Sequence, residues 1–320
     1  MNKIAPIPTP WPELISAETR ALFDVSDPAD GIARQYVASA EELNASAGAL
    51  GDPIGDAAYS PLPGLVHRHA DRVLLMPTEA CAVHCRFCFR REALAEPRSM
   101  SDAETDAALA YVRARPEIRE VILTGGDPLV LSPPRLARLV RALDGIAHLT
   151  TIRVHSRVPV AAPSRVTGEL VAALATDKAM FLAVHCNHPR ELSRHAVAAC
   201  RMFLDAGIPV LAQTVLLRGV NDDADTLVRL MEALVAARIK PYYLHQCDLA
   251  PGTAHFRVAV AEGRALMAEL RRRVSGLALP TYVLDIPGGH GKVPLEGAHG
   301  PDAQGRVVDA LGHVHRYPPE

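Results

Sequence analysis

The sequence predicts an α/β fold, a partial (β/α)6-type TIM barrel, on two observations. From Arg72 onward, short apolar runs alternate with amphipathic stretches, which is typical of a parallel sheet covered by helices. Polar and metal-binding residues gather directly after these runs, where the catalytic groups of (β/α) barrels lie. About six or seven such units fit a complete or partial barrel, and a doubly wound open sheet is the alternative.

The elements follow one another regularly along this region. Strands are predicted at residues 73–77, 120–124, 150–155, 180–185, 210–215, 241–245 and 282–284. Amphipathic helices are predicted at residues 102–113, 134–143, 190–206, 223–237 and 261–274. The barrel is predicted to span residues 67–292.

Two shorter segments flank the barrel. Residues 1–66 form a predicted helical extension, with one helix opening at Pro10 and another at Ser39, where Ser39 and Glu42 have the spacing of a capping box. Residues 293–320 form a C-terminal tail that is predicted to contain a β-hairpin with its turn at Gly312. The extension carries no recognisable chemistry and is expected to cover one end of the core.

Composition limits the classes of partner. The chain has 320 residues and a formal net charge of -2, so we expect no general attraction to nucleic acid or to an anionic membrane. No apolar run reaches the ~20 residues needed to cross a bilayer, and residues 1–6 lack the apolar core of a signal peptide. The six cysteines fit a reducing cytosol better than a disulfide framework. We therefore expect a cytoplasmic protein.

Three cysteines stand together in the segment CAVHCRFC, at Cys81, Cys85 and Cys88. Structural zinc sites usually use four protein ligands and often pair two such knuckles, but the sequence has no second knuckle. Three thiolates on a four-iron cluster leave one iron without a protein ligand, which suits chemistry at that iron better than simple electron transfer. Three buried or zinc-bound cysteines are the alternative.

Two glycine-rich segments follow later strands. Gly125, Gly126 and Asp127 come after the second predicted strand, where glycines let a backbone edge approach a ligand closely. A tight turn is the alternative there. Lys292 ends the segment PGGHGK after the last predicted strand. A lysine on such a loop either is a solvated surface residue or presents its amine to a carbonyl cofactor.

These motifs carry a resemblance to a known family. CxxxCxxC after a first strand resembles the signature of the radical S-adenosylmethionine (SAM) superfamily, in which the open iron holds SAM and reduction of the cluster yields a 5′-deoxyadenosyl radical. The chain from His67 to Lys292 resembles the lysine 2,3-aminomutases, which also use pyridoxal phosphate (PLP), in the segments LTGGDPL, HSRVP, HCNHP, QTVLLRGVND, YYLHQCDL, GTAHFR and PGGHGK. The resemblance implies a radical SAM core, an isomerase activity, and three cofactors: a [4Fe–4S] cluster, SAM and PLP.

The resemblance also implies roles for individual residues. Cys81, Cys85 and Cys88 match the cluster ligands, and Lys292 matches the lysine that binds PLP covalently. The remaining matches are Gly125, Gly126, Asp127, His185 and Gln213 toward SAM, Arg68 and Arg72 toward the PLP phosphate, Arg90 toward the substrate carboxylate, and Asp248 and Asp285 toward the substrate ammonium.

The two aspartates indicate the substrate. An unpaired ammonium buried in a barrel is costly, so Asp248 and Asp285 favour L-lysine over glutamate, although either could instead cap a turn or pair with Arg257. The implied reaction converts L-lysine to β-lysine by 1,2-amino migration. The same chemistry serving elongation factor P β-lysylation, a branch that the short chain resembles, and an aminomutase for another amino acid are the alternatives.

The resemblance bears on partners as well. A radical SAM enzyme needs an electron donor, such as flavodoxin or ferredoxin. The tail has no cysteine after Lys292, so the interfacial zinc of the long clostridial-type aminomutases is not expected. A hairpin packed on a second copy of the chain could still form a homodimer.

Overall fold

The computed structural model describes residues 9–27, 29–44, 46, 48–94, 96–296, 301–309 and 311–319. Residues 1–8, which include the segment expected to lack a signal-peptide core, lie outside this description. Within the described ranges, no helix is both long and apolar enough to span a bilayer.

In the described chain, nine strands form one sheet in which neighbours in sequence are neighbours in space. They are β1 (Leu65–His69), β2 (Arg72–Thr78), β3 (Glu120–Gly125), β4 (Thr151–Ser156), β5 (Ala179–His185), β6 (Val210–Leu216), β7 (Lys240–Gln246), β8 (Thr281–Asp285) and β9 (Lys292–Pro294). Strands β2 to β8 pair in parallel, and β1 and β9 pair antiparallel with them at the two edges.

This order decides between the predicted architectures. A doubly wound sheet reverses its strand order at a switch point, whereas here the order is sequential from β1 to β9. The edge strands β1 and β9 do not pair with each other in the described chain, so the barrel does not close. The partial barrel is therefore confirmed.

Helices connect the parallel strands. The helices are α1 (Ala17–Arg20), α2 (Ala33–Tyr36), α3 (Asp102–Arg113), α4 (Pro133–Asp144), α5 (Val158–Ala161), α6 (Gly168–Ala172), α7 (Arg194–Asp205), α8 (Ala224–Ala236) and α9 (Val260–Arg273). Capping residues mark some helix starts. For example, a capping box of Ser101 and Glu104 precedes α3. The apolar faces of α3 to α9 and the strands form the main hydrophobic core, which includes Leu123, Leu139 and Met231, whereas Tyr36 of α2 belongs to a smaller separate cluster.

The predicted barrel elements agree with the structure. All seven predicted strands are present, with each boundary within one residue of the prediction. The helix predicted at 190–206 begins later, at Arg194, because a 3₁₀ turn over Pro189–Glu191 precedes it and Ser193 caps it. The edge strands β1 and β9 and the short helices α5 and α6 were not predicted.

The N-terminal extension differs from the prediction at its start. No helix opens at Pro10; the first helix begins at Ala17, where the Ser16 hydroxyl accepts a hydrogen bond from the Thr19 amide. Proline lacks an amide donor and pushes the preceding residue toward extended geometry, and Pro10 and Pro12 both stand in the expected helix. The Ser39–Glu42 capping box is confirmed, at the start of a 3₁₀ helix.

The extension is held to the cysteine segment by buried charges. Glu42 is fully buried and pairs with Arg86 at 2.5 Å and with Arg91. The Arg91 guanidinium also lies over the Trp11 ring, with its carbon 3.7 Å from the ring centroid. Breaking a buried pair by removing one partner typically costs about 3–5 kcal/mol. The extension therefore fixes the backbone that follows Cys85.

The tail contains the predicted hairpin. Strands β10 (Arg306–Val308) and β11 (Val314–Arg316) pair antiparallel, and Gly312 in the connection has a φ of 86°. Val307 is fully buried in the main core, so the hairpin packs on the barrel.

A seam lies between the two edges of the sheet. A Cβ atom added at Gly55, which precedes β1, would lie 2.5 Å from the carbonyl carbon of Gly288, which precedes β9. A Cβ at Gly289 would lie 2.4 Å from the Tyr59 ring. Glycine is therefore required on both sides of this backbone contact.

Candidate active site

One cavity of about 1300 Å³ opens at the carboxyl ends of the parallel strands. All the site residues predicted from the sequence line it: Arg68, Arg72, Cys81, Cys85, Cys88, Arg90, Gly125, Gly126, Asp127, His185, Gln213, Asp248, Asp285 and Lys292. These residues come from segments that are far apart in sequence; most follow the carboxyl ends of the parallel strands, whereas Arg68 and Arg72 lie near the turn between β1 and β2, at the amino end of β2. The fold thus brings the whole predicted set together.

The three cysteines lie on the loop after β2. All are free thiols and partly buried, and burial raises their pKa values, that of Cys88 to about 11. Among the described residues they do not form a group with all sulfur atoms within 4.8 Å of one another. Zn–S bonds of about 2.3 Å would place sulfurs about 3.8 Å apart around one zinc ion. The three sulfurs are therefore not gathered around one point as the ligands of a single zinc ion would be.

Arg157 supports one of these thiols, a role that the sequence did not reveal. Its Nη1 donates to Cys85 Sγ at 3.2 Å, and its Nη2 donates to Gln35 Oε1 and Glu191 Oε1 at 2.6 and 2.5 Å. Burial opposes its charge, but the neighbouring Cys85 and Glu191 outweigh burial and raise the pKa of Arg157. A fixed cation beside a thiol favours the thiolate, the form that binds metal.

The glycine pair has a structural reason within the protein, beside the predicted approach to a ligand. A Cβ at Gly126 would lie 2.2 Å from the carbonyl oxygen of Ala80, and the amides of Gly126 and Asp127 donate to the carbonyls of Thr78 and Ala80, both at 2.8 Å. The close approach seen here is to the chain's own cysteine loop, whereas the sequence suggested approach to a ligand. Gly126 therefore sets the position of the loop that carries Cys81.

The Asp127 carboxylate is engaged within the protein. It accepts hydrogen bonds from the Ser156 hydroxyl at 2.8 Å and from the amides of Arg157 and Leu129 at 2.7 and 3.0 Å. Burial nevertheless raises its pKa. The carboxylate joins the ends of β3 and β4, so its side chain positions Arg157.

Lys292 and the two predicted aspartates form a charged group at the β8–β9 edge. Lys292 Nζ lies 2.7 Å from Asp285 Oδ1, and His245 Nδ1 lies 3.5 Å from Asp285 Oδ2. Although burial acts against it, the Lys292 charge holds the pKa of Asp285 well below its usual range. Burial and the charge of Asp285 raise the pKa of Asp248 to about 8. The site thus contains one ionised carboxylate paired with an ammonium and a second carboxyl group that retains its proton near neutral pH.

Arg257 is not the partner of either aspartate. Its guanidinium donates to Ser46 Oγ at 2.9 Å and to the Ala250 carbonyl at 3.3 Å. The alternative in which Arg257 neutralises Asp248 or Asp285 is therefore not supported by the described contacts.

Asp56 joins two arginines that were predicted to bind different groups. Its Oδ1 accepts from Arg68 Nη2 and its Oδ2 from Arg90 Nη2, both at 2.7 Å. Arg72, the third predicted arginine, pairs instead with its neighbour Asp71 at 2.8 Å and is more exposed. No motif drew attention to Asp56, which lies before β1 in the extension.

Buried imidazoles line the cavity between these groups. His185 Nε2 and His245 Nε2 are buried without a hydrogen-bond partner among the described residues. Burial lowers the pKa of both rings, that of His185 to about 3, so both are neutral. Gln213 Nε2 lies 3.4 Å from His155 Nε2. Since an unpaired buried polar atom is costly, these nitrogens indicate that the cavity accepts polar ligand groups.

Comparison with known proteins agrees with this geometry. The model of the radical SAM superfamily matches residues 75–231. A solved radical SAM methyltransferase from Sphaerobacter thermophilus superposes with a TM-score of 0.51 at 20% identity, over 69% of this chain and 68% of that chain. At that identity the likeness concerns the fold alone. The fold and the cysteine motif thus define a radical SAM protein.

Sequence comparison gives the family. An L-lysine 2,3-aminomutase of Acetoanaerobium sticklandii is 42% identical over 86% of this chain and 67% of its own length. An L-lysine 2,3-aminomutase of Escherichia coli is 39% identical over 86% of this chain and 80% of its own length. The chain spans about two thirds of the length of the longer relatives. The chain belongs to the radical SAM lysine 2,3-aminomutase family, whose members are isomerases.

Proposed function

We propose that this protein converts L-lysine to β-lysine by moving the amino group from C2 to C3, with a [4Fe–4S] cluster, SAM and PLP. One observation carries the proposal. The cavity that holds the three cysteines also holds Lys292 paired with Asp285, with Asp248 beside them. Thiols for a cluster, an amine for a carbonyl cofactor and acidic groups for a cationic substrate thus share one space.

Cys81, Cys85 and Cys88 are the residues that would hold the cluster. They are the only cysteines among the described residues that line the cavity, and three ligands leave one iron open. Bound there, the cluster and SAM supply a carbon radical that removes a hydrogen atom. Arg157 holds Cys85, and Gly126 holds the loop of Cys81, so the chain itself sets the positions of the ligands.

Lys292 and Arg68 are the residues that would hold PLP. The Lys292 side chain is 40% exposed and lines the cavity, so a carbonyl group can reach its amine. Arg68 pairs with Asp56 through Nη2, but its buried Nε has no hydrogen-bond partner among the described residues and lies next to Gly289, whose added Cβ would be 3.3 Å from it. A guanidinium N–H that is free to donate, next to a glycine without a side chain, fits an anionic phosphate group.

The acidic groups fit the substrate. Asp285 already binds an alkylammonium, the side chain of Lys292, and L-lysine presents the same chemical group. A second cation at this site would stabilise the ionised form of Asp248, whose pKa is raised because Asp285 lies nearby and the site is buried. Arg90 is partly buried. Its positive charge suits the carboxylate of the substrate.

An anaerobic assay tests the proposal. Protein reconstituted with iron and sulfide would receive SAM, PLP, dithionite and one amino acid from a panel of L-lysine, L-glutamate and L-norleucine. We expect β-lysine from L-lysine only, and none with Cys88→Ala or Lys292→Ala. Cys200→Ala and Lys178→Ala change residues that do not line the cavity and should retain activity. Equal or faster turnover of glutamate or norleucine would refute the lysine assignment, and SAM cleavage without any amino migration would refute the reaction.

A further inference from the structure

The C-terminal hairpin carries metal-binding side chains that the proposed reaction does not use. His290, Asp309 and His315 each place one potential ligand atom so that all three atoms lie within 4.8 Å of one another. His290 comes from the loop before β9, two positions before Lys292, while Asp309 and His315 come from the hairpin. Residues from two separate segments of the chain thus converge at one point.

The carboxylate in this group is held in place by its own turn. Asp309 Oδ1 accepts hydrogen bonds from the amides of Leu311 and His313 at 2.8 and 2.9 Å. Its Oδ2 points to the imidazoles, 2.8 Å from His315 Nε2 and 3.5 Å from His313 Nδ1. The Asp309 side chain is only 6% exposed. One oxygen therefore fixes the side chain and the other faces the histidines.

The two imidazoles are already in contact. The ring centroids of His290 and His315 lie 4.0 Å apart with an interplanar angle of 31°. Two neutral imidazoles and one carboxylate are a common ligand set for zinc, which in such sites keeps a fourth position for water or another ligand.

We propose that His290, Asp309 and His315 bind a divalent transition-metal ion of the zinc class. Such an ion would lie between ligand atoms about 3.3 Å apart, given metal–ligand bonds of about 2.0–2.2 Å, so the 2.8 Å separation of Asp309 Oδ2 and His315 Nε2 would lengthen slightly and any longer separation, up to 4.8 Å, would shorten. His290 and Asp309 also line the mouth of the active-site cavity. The ion would therefore tie the hairpin to the loop of Lys292 and hold the wall of the cavity at that point.

The site differs from the cysteine loop in its ligand chemistry, which makes it separable by experiment. The test uses iron-reconstituted protein, so that the three cavity thiols are occupied, and measures zinc and iron in the same sample. Wild-type protein should bind one zinc ion per chain in addition to its iron. His290→Ala and His315→Asn should each lose this zinc ion. The affinity for zinc should fall by more than about 100-fold, the upper end of the range for removing a residue that only contacts a metal ligand.

Controls distinguish loss of the ligand from loss of the fold. His195→Ala removes an exposed histidine of α7 and should leave zinc binding unchanged. The His315→Asn variant keeps a donor toward Asp309 but no imidazole, so its melting temperature without zinc should match that of the wild type.

Cobalt provides a second readout. Co²⁺ bound at this site should give weak visible bands without thiolate charge transfer, because no sulfur is present among its ligands. Absence of zinc from the wild type, retention of zinc in both His290→Ala and His315→Asn, or a thiolate signature with cobalt would each overturn the proposal. None of these readouts depends on amino migration.

Discussion

The raised pKa of Asp248 predicts that lysine binding depends on pH. In the ligand-free site, burial and the charge of Asp285 keep the Asp248 carboxyl group protonated up to a pKa of about 8. A substrate ammonium binds best when this group is ionised. Binding at neutral pH must therefore release the proton of Asp248, whereas above pH 8 the group has already lost it.

The size of the effect follows from the pKa. At pH 7 the group lies about one unit below its pKa, so ionising it costs about 1.4 kcal/mol. At pH 9 this cost has nearly vanished. We therefore expect the affinity for L-lysine to rise about tenfold from pH 7 to pH 9, and binding at pH 7 to release close to one proton from this group.

Calorimetry of PLP-free protein with L-lysine, in two buffers of different ionisation enthalpy, measures both quantities in the state where Lys292 keeps its ammonium beside Asp285. L-Norleucine has the same α-amine but no ammonium on its side chain, so its pH dependence gives the correction for the α-amine. Asp248→Asn should bind lysine more weakly at pH 9, with the tenfold rise and the extra proton both absent. A wild-type profile that matches the norleucine profile, or an unchanged proton release in Asp248→Asn, would refute the reasoning.

Three further predictions concern the supports of the site. Glu42→Gln should destabilise the protein by about 3–5 kcal/mol in denaturant melts, because two buried arginines lose their carboxylate; Glu41→Gln, whose side chain is 52% exposed, should change stability by less than about 1 kcal/mol. Arg157→Lys should make the cluster harder to reduce, because the hydrogen bond to the Cys85 sulfur is lost. A redox titration followed by electron paramagnetic resonance should show a more negative reduction potential. An unchanged reduction potential would contradict the role of Arg157 as a donor to this sulfur. Gly126→Ala should lower iron incorporation and cost about 1–3 kcal/mol through overpacking, whereas Gly168→Ala, in open space, should leave iron content unaltered.

The barrel was predictable because its signals are local. The strands β2 to β8 lie in short apolar runs, and the helices between them have an apolar face. The spacing of apolar residues therefore predicts the order of strands and helices. The barrel geometry then placed the residues after each strand at a common edge. The edge strand β9 is only three residues long and was missed because its pattern is too short to be distinctive.

The missed site residues share a different property: their roles depend on contacts between distant segments. Asp56 binds Arg68 and Arg90, which are 12 and 34 positions away. Arg157 reaches Cys85 across 72 positions. No spacing rule connects such pairs, and a lone aspartate before a strand has many ordinary explanations. Only the folded chain shows that these side chains meet.

The seam between β1 and β9 has a mechanical consequence. Across it, Gly55 and Gly288 share a backbone contact, but the edge strands exchange no ladder hydrogen bonds in the described chain. Parting such surfaces loses only dispersion contacts, about 0.1–0.2 kcal/mol for each atom pair. The barrel is therefore held at this joint by close packing alone, whereas the seven parallel strands are held to one another by backbone hydrogen bonds.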